Sequence, residues 1–257
     1  MFMNQSDLIK KFISIAKKGW IKSVKENHGG VGMTFENELG KKPDADFFPD
    51  YNGIEIKCTT RFSDYPLFLL SIAFDGPSDD ETDRICQKFG YYDKDYPNMK
   101  VIFAKTSCPY MIMQRNGYKT KLNIDEINEK INFEVYSTKD KLLDNKSFLN
   151  FTSLYGHLMV KLGKIAVIHA SKKIFEGQMY FRYYRIDIYE LKSFNTFIDL
   201  LKSGKIDVTL VARISKSGPR IGQYRNQNLV FELEKSYIND LFNLVTTYDY
   251  DKNSRKS

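Results

Sequence analysis

Cysteine is scarce. Cys58, Cys86 and Cys108 are an odd set, widely spaced and without a Cys-x-x-Cys pair; that excludes a disulfide framework and a structural zinc site and leaves reduced thiols as the expectation. Histidine is equally thin: His28, His157 and His169 stand apart from one another and from the cysteines, so no chemistry is assigned to them. Long apolar runs are missing too. The longest, 66–74, spans nine residues, against the roughly 20 a bilayer requires. The opening Met-Phe-Met-Asn-Gln-Ser-Asp has no basic region followed by an apolar core, so no secretory signal is visible and the expectation is a cytoplasmic protein without a membrane partner. There is no internal repeat, low-complexity tract or polar linker. Only the tail 252–257, charged and without an apolar anchor, is expected to fray.

What is present describes a folded chain. Hydrophobic residues make up 42% and aromatics 14% of 257 residues, enough for a substantial core and a length between one large domain and two small ones. One body of two lobes is expected. The net charge of +7 favours a polyanionic partner without naming it.

Periodicity places the elements. Ser6 followed by Leu8, Ile9, Phe12, Ile13 and Ala16, with Gly19 as a stop, predicts an opening helix. A glycine-containing loop (Gly29, Gly30, Gly32) leads to a short helix over 34–39 with Gly40 after it. Strands are expected over 46–51 and 54–59 around Asn52-Gly53, a tight-turn dipeptide, then over 67–74 and 101–105, with a helix over 81–89 between them. A hairpin is read near 111–118, and a helix over 147–162 with Phe148, Phe151, Leu154, Tyr155, Leu158 and Met159 as core positions. Strands over 165–170 and 179–188, a helix over 191–201, a strand over 206–214, a loop over 215–226 and a strand over 229–233 complete the reading. Strands and helices alternate through the first half, which points to an α/β class.

The informative stretch is Phe48-Pro49-Asp50-Tyr51-Asn52-Gly53-Ile54-Glu55-Ile56-Lys57. Strand side chains alternate, so Glu55 and Lys57 share one face while Ile54 and Ile56 point to the apolar one. If the hairpin returns beside Asp50, its carboxylate and that of Glu55 can share a hard divalent cation that keeps several waters. Lys57 would then position the attacking water beside a polarised phosphodiester. The plain alternative is a Glu55–Lys57 salt bridge on an ordinary strand. The company of Pro49-Asp50, the turn and an acidic helix just upstream favours a nuclease.

The run Gly30-Val31-Gly32-Met33-Thr34-Phe35-Glu36-Asn37-Glu38-Leu39-Gly40, followed by Pro49-Asp50 and Gly53-Ile54-Glu55-Ile56-Lys57, resembles the MvaI/BcnI group of type II restriction endonucleases and the related mismatch-repair nicking enzyme MutH, within the PD-(D/E)xK superfamily. The resemblance is clear over roughly the first 75 residues. It implies that Glu36 is the helix-borne acid of the site, that Asp50 and Glu55 are metal ligands with the Ile56 carbonyl beside them, and that Lys57 is the catalytic lysine. Asp44 and Asp46 compete with Asp50, which alone combines the proline, the spacing and the turn. The implied cofactor is Mg2+, with Mn2+ as substitute, and the implied partners are double-stranded DNA and a cognate DNA methyltransferase. The implied fold is α/β (α+β): a restriction-endonuclease-like core with a mixed central sheet flanked by helices, and two lobes around a DNA-binding cleft. A catalytic lobe is expected over 1–140, a DNA-recognition lobe over 141–250 with elements returning to the catalytic core, and a flexible tail over 251–257. A monomer is expected.

From Arg213 to Gln227 the chain carries Arg213, Lys216, Arg220 and Arg225 and no acid. Arginine can bridge two acceptors on guanine and glutamine two on adenine, so Arg213, Arg220, Gln223 and Arg225 are candidate base readers, with Lys216 and Tyr224 as further DNA contacts. A second patch over 175–185 interleaves aromatics with Arg182 and Arg185; core packing is expected for most of its rings and at most phosphate contacts for its arginines. A methylation-directed nicking enzyme and a catalytically silent DNA-binding protein are the alternative functions.

Overall fold

The computed structural model describes residues 3–25, 29–41, 48–60, 63 and 65–253. In chain order its elements are α1 (Met3–Ala16), β1 (Ile21–Lys22), α2 (Gly30–Glu38), β2 (Glu55–Thr60), β3 (Leu67–Ile72), α3 (Glu81–Phe89), β4 (Tyr91–Tyr92), β5 (Lys100–Thr106), β6 (Ile112–Met113), β7 (Tyr118–Asp125) and β8 (Lys130–Ser137). There follow β9 (Leu142–Asp144), β10 (Phe148–Asn150), α4 (Phe151–Leu162), β11 (Lys164–Phe175), β12 (Gln178–Leu191), α5 (Phe194–Lys202), β13 (Ile206–Ile214), β14 (Tyr224–Leu233), α6 (Ile238–Leu241), β15 (Phe242–Asp249) and α7 (Tyr250–Asn253). None of the helices is long and apolar enough to cross a membrane among the described residues. The chain forms two compact units: residues 1–65, 159–192 and 239–257 in one, 66–158 and 193–238 in the other. Contacts therefore divide the chain at four points, with residues 159–192 and 239–257 returning to the unit of residues 1–65.

The first unit is built on a mixed sheet in the order β1-β12-β11-β2, with β15 also on β12. β2 runs parallel to β11 while β12 is antiparallel to β1, β11 and β15. One face of this sheet is apolar: Ile54 and Ile56 lie with Ala166, Ile168, Ala170, Ile186 and Ile188 under α1 and α2. Leu8, Phe12, Ile15 and Ala16 supply the buried stripe of α1, the three- and four-residue spacing that turns one helical face inward. Fully burying one such aliphatic side chain stabilises by about 1.5–3 kcal/mol. Past Ala16 the backbone turns out of the helix through Gly19, whose φ of +71° a residue with a Cβ adopts at a cost.

The β11–β12 ladder reaches from Lys164 opposite Glu190 to Phe175 opposite Gln178, several residues beyond the strands expected over 165–170 and 179–188. The turn between the two strands is made by Glu176 and Gly177 at φ of 50° and 73°, the positive pair a tight hairpin turn requires. The extension carries Ser171, Lys172 and Lys173, and its polarity hides it from a hydrophobic pattern. β15 was not expected; its residues are mostly exposed or half-buried. Lys252 and Asn253, assigned to a fraying tail, belong to α7; residues 254–257, like the expected strand positions 46 and 47 and His28, lie outside the described residues.

The second unit holds a sheet in the order β3-β14-β13-β5-β4 and another in the order β10-β8-β7-β6 with β9 on β8. Tyr118, Thr120 and Leu122 on β7 are buried between exposed or half-buried neighbours, and Ile131, Phe133 and Val135 on β8 are buried with Glu134 among them, a period-two apolar signal that the sequence reading passed over. The helix expected over 147–162 starts only at Phe151, because Phe148–Asn150 pairs with β8 as strand β10. Leu154, Leu158 and Leu162 form its buried stripe, whereas Tyr155 and Met159, expected in the core, are exposed. The loop after β13 ends earlier than expected, since Tyr224 already lies in β14.

Candidate active site

The site begins with a tight turn. Tyr51 and Ile54 exchange backbone hydrogen bonds of 3.0 and 2.8 Å across Asn52 and Gly53, whose φ values of 45° and 82° are those of a two-residue hairpin turn. The expected strand before it reduces, in its described part, to the single Tyr51–Ile54 bridge. The Tyr51 hydroxyl donates to Asp7 of α1, and burial together with that bond pushes the phenol up to about 12.

Asp50 takes the place of a missing ladder partner. Its Oδ2 accepts from the Ile56 amide at 2.9 Å, which fixes the carboxylate beside the start of β2. The N–H and C=O of one strand residue leave the strand on the same side, so the Ile56 carbonyl also faces the Asp50 side, away from β11. Glu55 and Lys57 share the opposite sheet face from Ile54 and Ile56, and Lys57 Nζ lies 3.0 Å from Glu55 Oε1 with both side chains 10% exposed.

Two further cations complete the cluster, neither of them singled out from the sequence. Lys41 Nζ donates to Asp50 Oδ1 at 2.5 Å. Lys161, in the last turn of α4, donates to the Phe48 carbonyl at 2.9 Å and reaches Glu55 Oε2 at 3.4 Å. Three ammonium groups thus lie on the two carboxylates, where a hard cation is expected. The donor set suits magnesium, which binds through one or two carboxylates and keeps waters; among the described residues no three His, Cys, Asp or Glu side chains converge as an all-protein cage.

Glu36 is half-buried on α2. Its helix is held against the sheet by Phe35, whose ring meets Tyr183 edge-on at 5.0 Å, and by the Tyr183 hydroxyl donating to the Val31 carbonyl at 2.7 Å. The Glu36 and Asp50 charges both act on Cys58, whose thiol burial first and these acids second push well up; Cys58 stays a neutral thiol. Glu38 faces elsewhere and pairs with Lys18 at 2.5 Å. The competing acids Asp44 and Asp46 lie outside the described residues.

The expected DNA-reading residues are in the second unit. Arg213 and Arg225 are directly opposite on β13 and β14, and Arg213, Lys216, Arg220, Gln223, Tyr224 and Arg225 are all exposed. The loop closes on itself: Gly222 N donates to Ser215 O at 2.8 Å, Ser215 N to Gln223 O at 2.9 Å and Gln223 N to Arg220 O at 3.0 Å. Lys216 is engaged by Asp93 and Asp95 at 3.1 and 2.5 Å, and the Tyr224 hydroxyl accepts from Gln87 at 3.4 Å.

The MvaI/BcnI restriction endonuclease family model matches residues 9–242. The chain belongs to that family. A solved complex of the restriction endonuclease MvaI with its cognate DNA substrate aligns over 95% of this chain and 98% of its own, at 22% identity with a TM-score of 0.89. MvaI in the absence of DNA aligns over the same shares at 21% identity with a TM-score of 0.59. The mixed sheet with its flanking helices is accordingly the restriction-endonuclease-like core of the MvaI/BcnI fold. No curated protein matches the chain.

Proposed function

We propose that this protein is a type II restriction endonuclease that hydrolyses phosphodiester bonds of double-stranded DNA at a short specific site with Mg2+, Mn2+ serving as substitute. The observation that carries the reading is the cluster on β2: Asp50 fastened to the Ile56 amide, with Glu55 and Lys57 together on the face opposite the core. Asp50, Glu55 and the Ile56 carbonyl would hold the metal, which supplies Lewis-acid stabilisation and a more acidic water. Lys57 holds the attacking water against the phosphate; Glu36, one helix away, adds a negative charge to the same end of the sheet. As water adds to phosphorus, the bond to the leaving sugar oxygen breaks, and the ammonium groups of Lys41 and Lys161 offset negative charge around the two acids. The MvaI complex contains its cognate DNA, and duplex DNA fits the net charge of +7. Catalysis is assigned to the unit that carries β2 and sequence reading to the unit that carries residues 213–225. A monomer working beside a cognate DNA methyltransferase is part of the same reading.

The test is incubation of the purified protein with unmethylated plasmid and phage DNA, with magnesium or with chelator, and sequencing of the product ends. Discrete magnesium-dependent fragments sharing a terminal sequence are expected, and both Asp50→Ala and Lys57→Ala should abolish them while DNA binding persists. Full activity in either variant would overturn the site. Nicks confined to hemimethylated DNA would make the protein a methylation-directed nicking enzyme instead.

A further inference from the structure

The sheet face that carries Glu55 and Lys57 continues across the neighbouring strands. In register, Lys57 lies beside Val167 of β11 and Val167 beside Asp187 of β12, while Thr59 lies beside His169 and His169 beside Arg185. Ile165, Val167 and Tyr189 on this face are buried, but His169 and Arg185, level with the end of β2, are half-exposed. A bulge between His169 and Ala170 leaves Tyr184 as an extra residue on β12. Its ring comes to 6.3 Å from that of His169, on the same face, as the two bulged positions of a strand do.

At the centre is Asp187, 1% exposed and filled by three donors. His169 Nε2 lies 2.9 Å from Oδ2, and Arg185 Nε and Thr247 Oγ1 lie 2.8 and 2.7 Å from Oδ1. Burial alone would raise the Asp187 pKa, but these bonds outweigh it and lower it, so a fixed negative charge holds the guanidinium by its Nε edge. Among the described residues neither Nη1 nor Nη2 of Arg185 has a hydrogen-bond partner. Asp249, opposite Arg185 on β15, is instead bonded to the Lys252 amide at 3.0 Å with its ammonium at 3.9 Å. A buried carboxylate contributes little net stability over apolar packing; what it does here is aim an arginine.

We propose that Arg185, positioned by Asp187, is a phosphate anchor that grips the DNA backbone beside the scissile bond. The outward Nη1–Nη2 fork matches two oxygens of a phosphodiester. Two residues along β2 and two strand spacings across, with β11 between, separate it from Lys57 on the same sheet face, about 12 Å, so it meets the backbone near the catalytic lysine rather than a distant part of the duplex. His169 and Thr247 act through Asp187 and are positioning residues.

The inference rests on the nuclease reading, and binding without metal separates the two. Equilibrium binding of a mixed-sequence duplex in chelator is measured against salt for wild type, Arg185→Gln and Arg185→Lys, with thermal melts as the folding control. A lysine there keeps the charge that Asp187 needs but, once paired to it, has no fork left for a phosphate. Both variants are therefore expected to bind about 10- to 100-fold more weakly and to lower the log–log salt slope by about 0.9, one phosphate contact. A folded Arg185→Lys with wild-type affinity and slope overturns the anchor and leaves an ordinary structural ion pair; this variant decides even if Arg185→Gln does not fold. Absence of salt-dependent binding by wild type would instead defeat the nuclease reading.

Discussion

Lys161 shows what a single side chain does that no local pattern announces. It stands 106 residues from Glu55, and as the basic residue in the last turn of α4 it reads as one that merely complements the helix dipole. In the fold it ties that turn to the carbonyl of Phe48, two residues before Asp50, and to Glu55 itself. Removing it loosens the segment that carries one carboxylate and takes a positive charge from the other. Supporting partners of this kind are worth about 10- to 100-fold in activity or metal affinity, so Lys161→Ala should lower kcat within that range and leave DNA affinity unchanged, with Lys161→Arg recovering most of the rate. An unaltered kcat would reduce Lys161 to a surface residue. By contrast Asp50, Glu55 and Lys57 were legible in the sequence, since a proline-acid pair, a turn dipeptide and an alternating strand lie within ten residues. Lys41 was not, because its partner is fixed by tertiary structure rather than spacing; Arg185 was read for phosphate contact at most, and its pairing with Asp187 two residues along the strand was passed over.

Among elements, α3 was legible over its full length, and what anchors it was not. Glu81, 1% exposed, and Asp144 of β9 are joined by Arg84, whose guanidinium gives Nε to Glu81 at 2.9 Å and both terminal nitrogens to Asp144 at 2.7 and 2.9 Å. Lys88 adds 2.9 Å to Asp144, and Ser147 bonds to Glu81. Burial alone would raise both carboxyls, but the hydrogen bonds outweigh it: Glu81 is lowered and Asp144 is held well below the usual carboxylate range. With folded pKa values below the unfolded ones, near 4, their stabilisation is fully present above that pH and is lost as pH falls through the folded values. Arg84→Ala strands two buried acids and should cost about 3 kcal/mol at neutral pH, the low end for a broken buried pair because Arg84 keeps some solvent. Chemical denaturation at pH 7 and at acid pH checks this: the variant's loss should shrink as the acids protonate. A loss independent of pH would point to packing instead. β7 and β8 were missed although their apolar residues recur at strand period among charged ones, and β10 was misread because its pairing with β8 draws Phe148 out of the expected helix opposite Asn132.

At the scale of the whole molecule, the net charge of +7 predicts salt-sensitive DNA binding, and the hairpin of β13 and β14 predicts where part of it resides. Arg213 and Arg225 face each other across the ladder, an arrangement of like charges that weakens a sheet; burial and then the Arg225 charge lower the Arg213 pKa. A polyanion relieves that repulsion. Lys216, whose charge is already met by Asp93 and Asp95, has less to offer. Three variants then separate three contributions. Arg225→Gln should weaken binding to every duplex alike and reduce the salt slope by about 0.9. Gln223→Ala should leave the slope alone and lower only the preference for the cleavage site, by about 1–3 kcal/mol if its amide reads a base. Lys216→Gln should change neither by much. Titrations of cognate and scrambled duplexes across a salt series measure all three, and equal effects of Lys216→Gln and Arg225→Gln would show general attraction of charge rather than contact by a shaped hairpin.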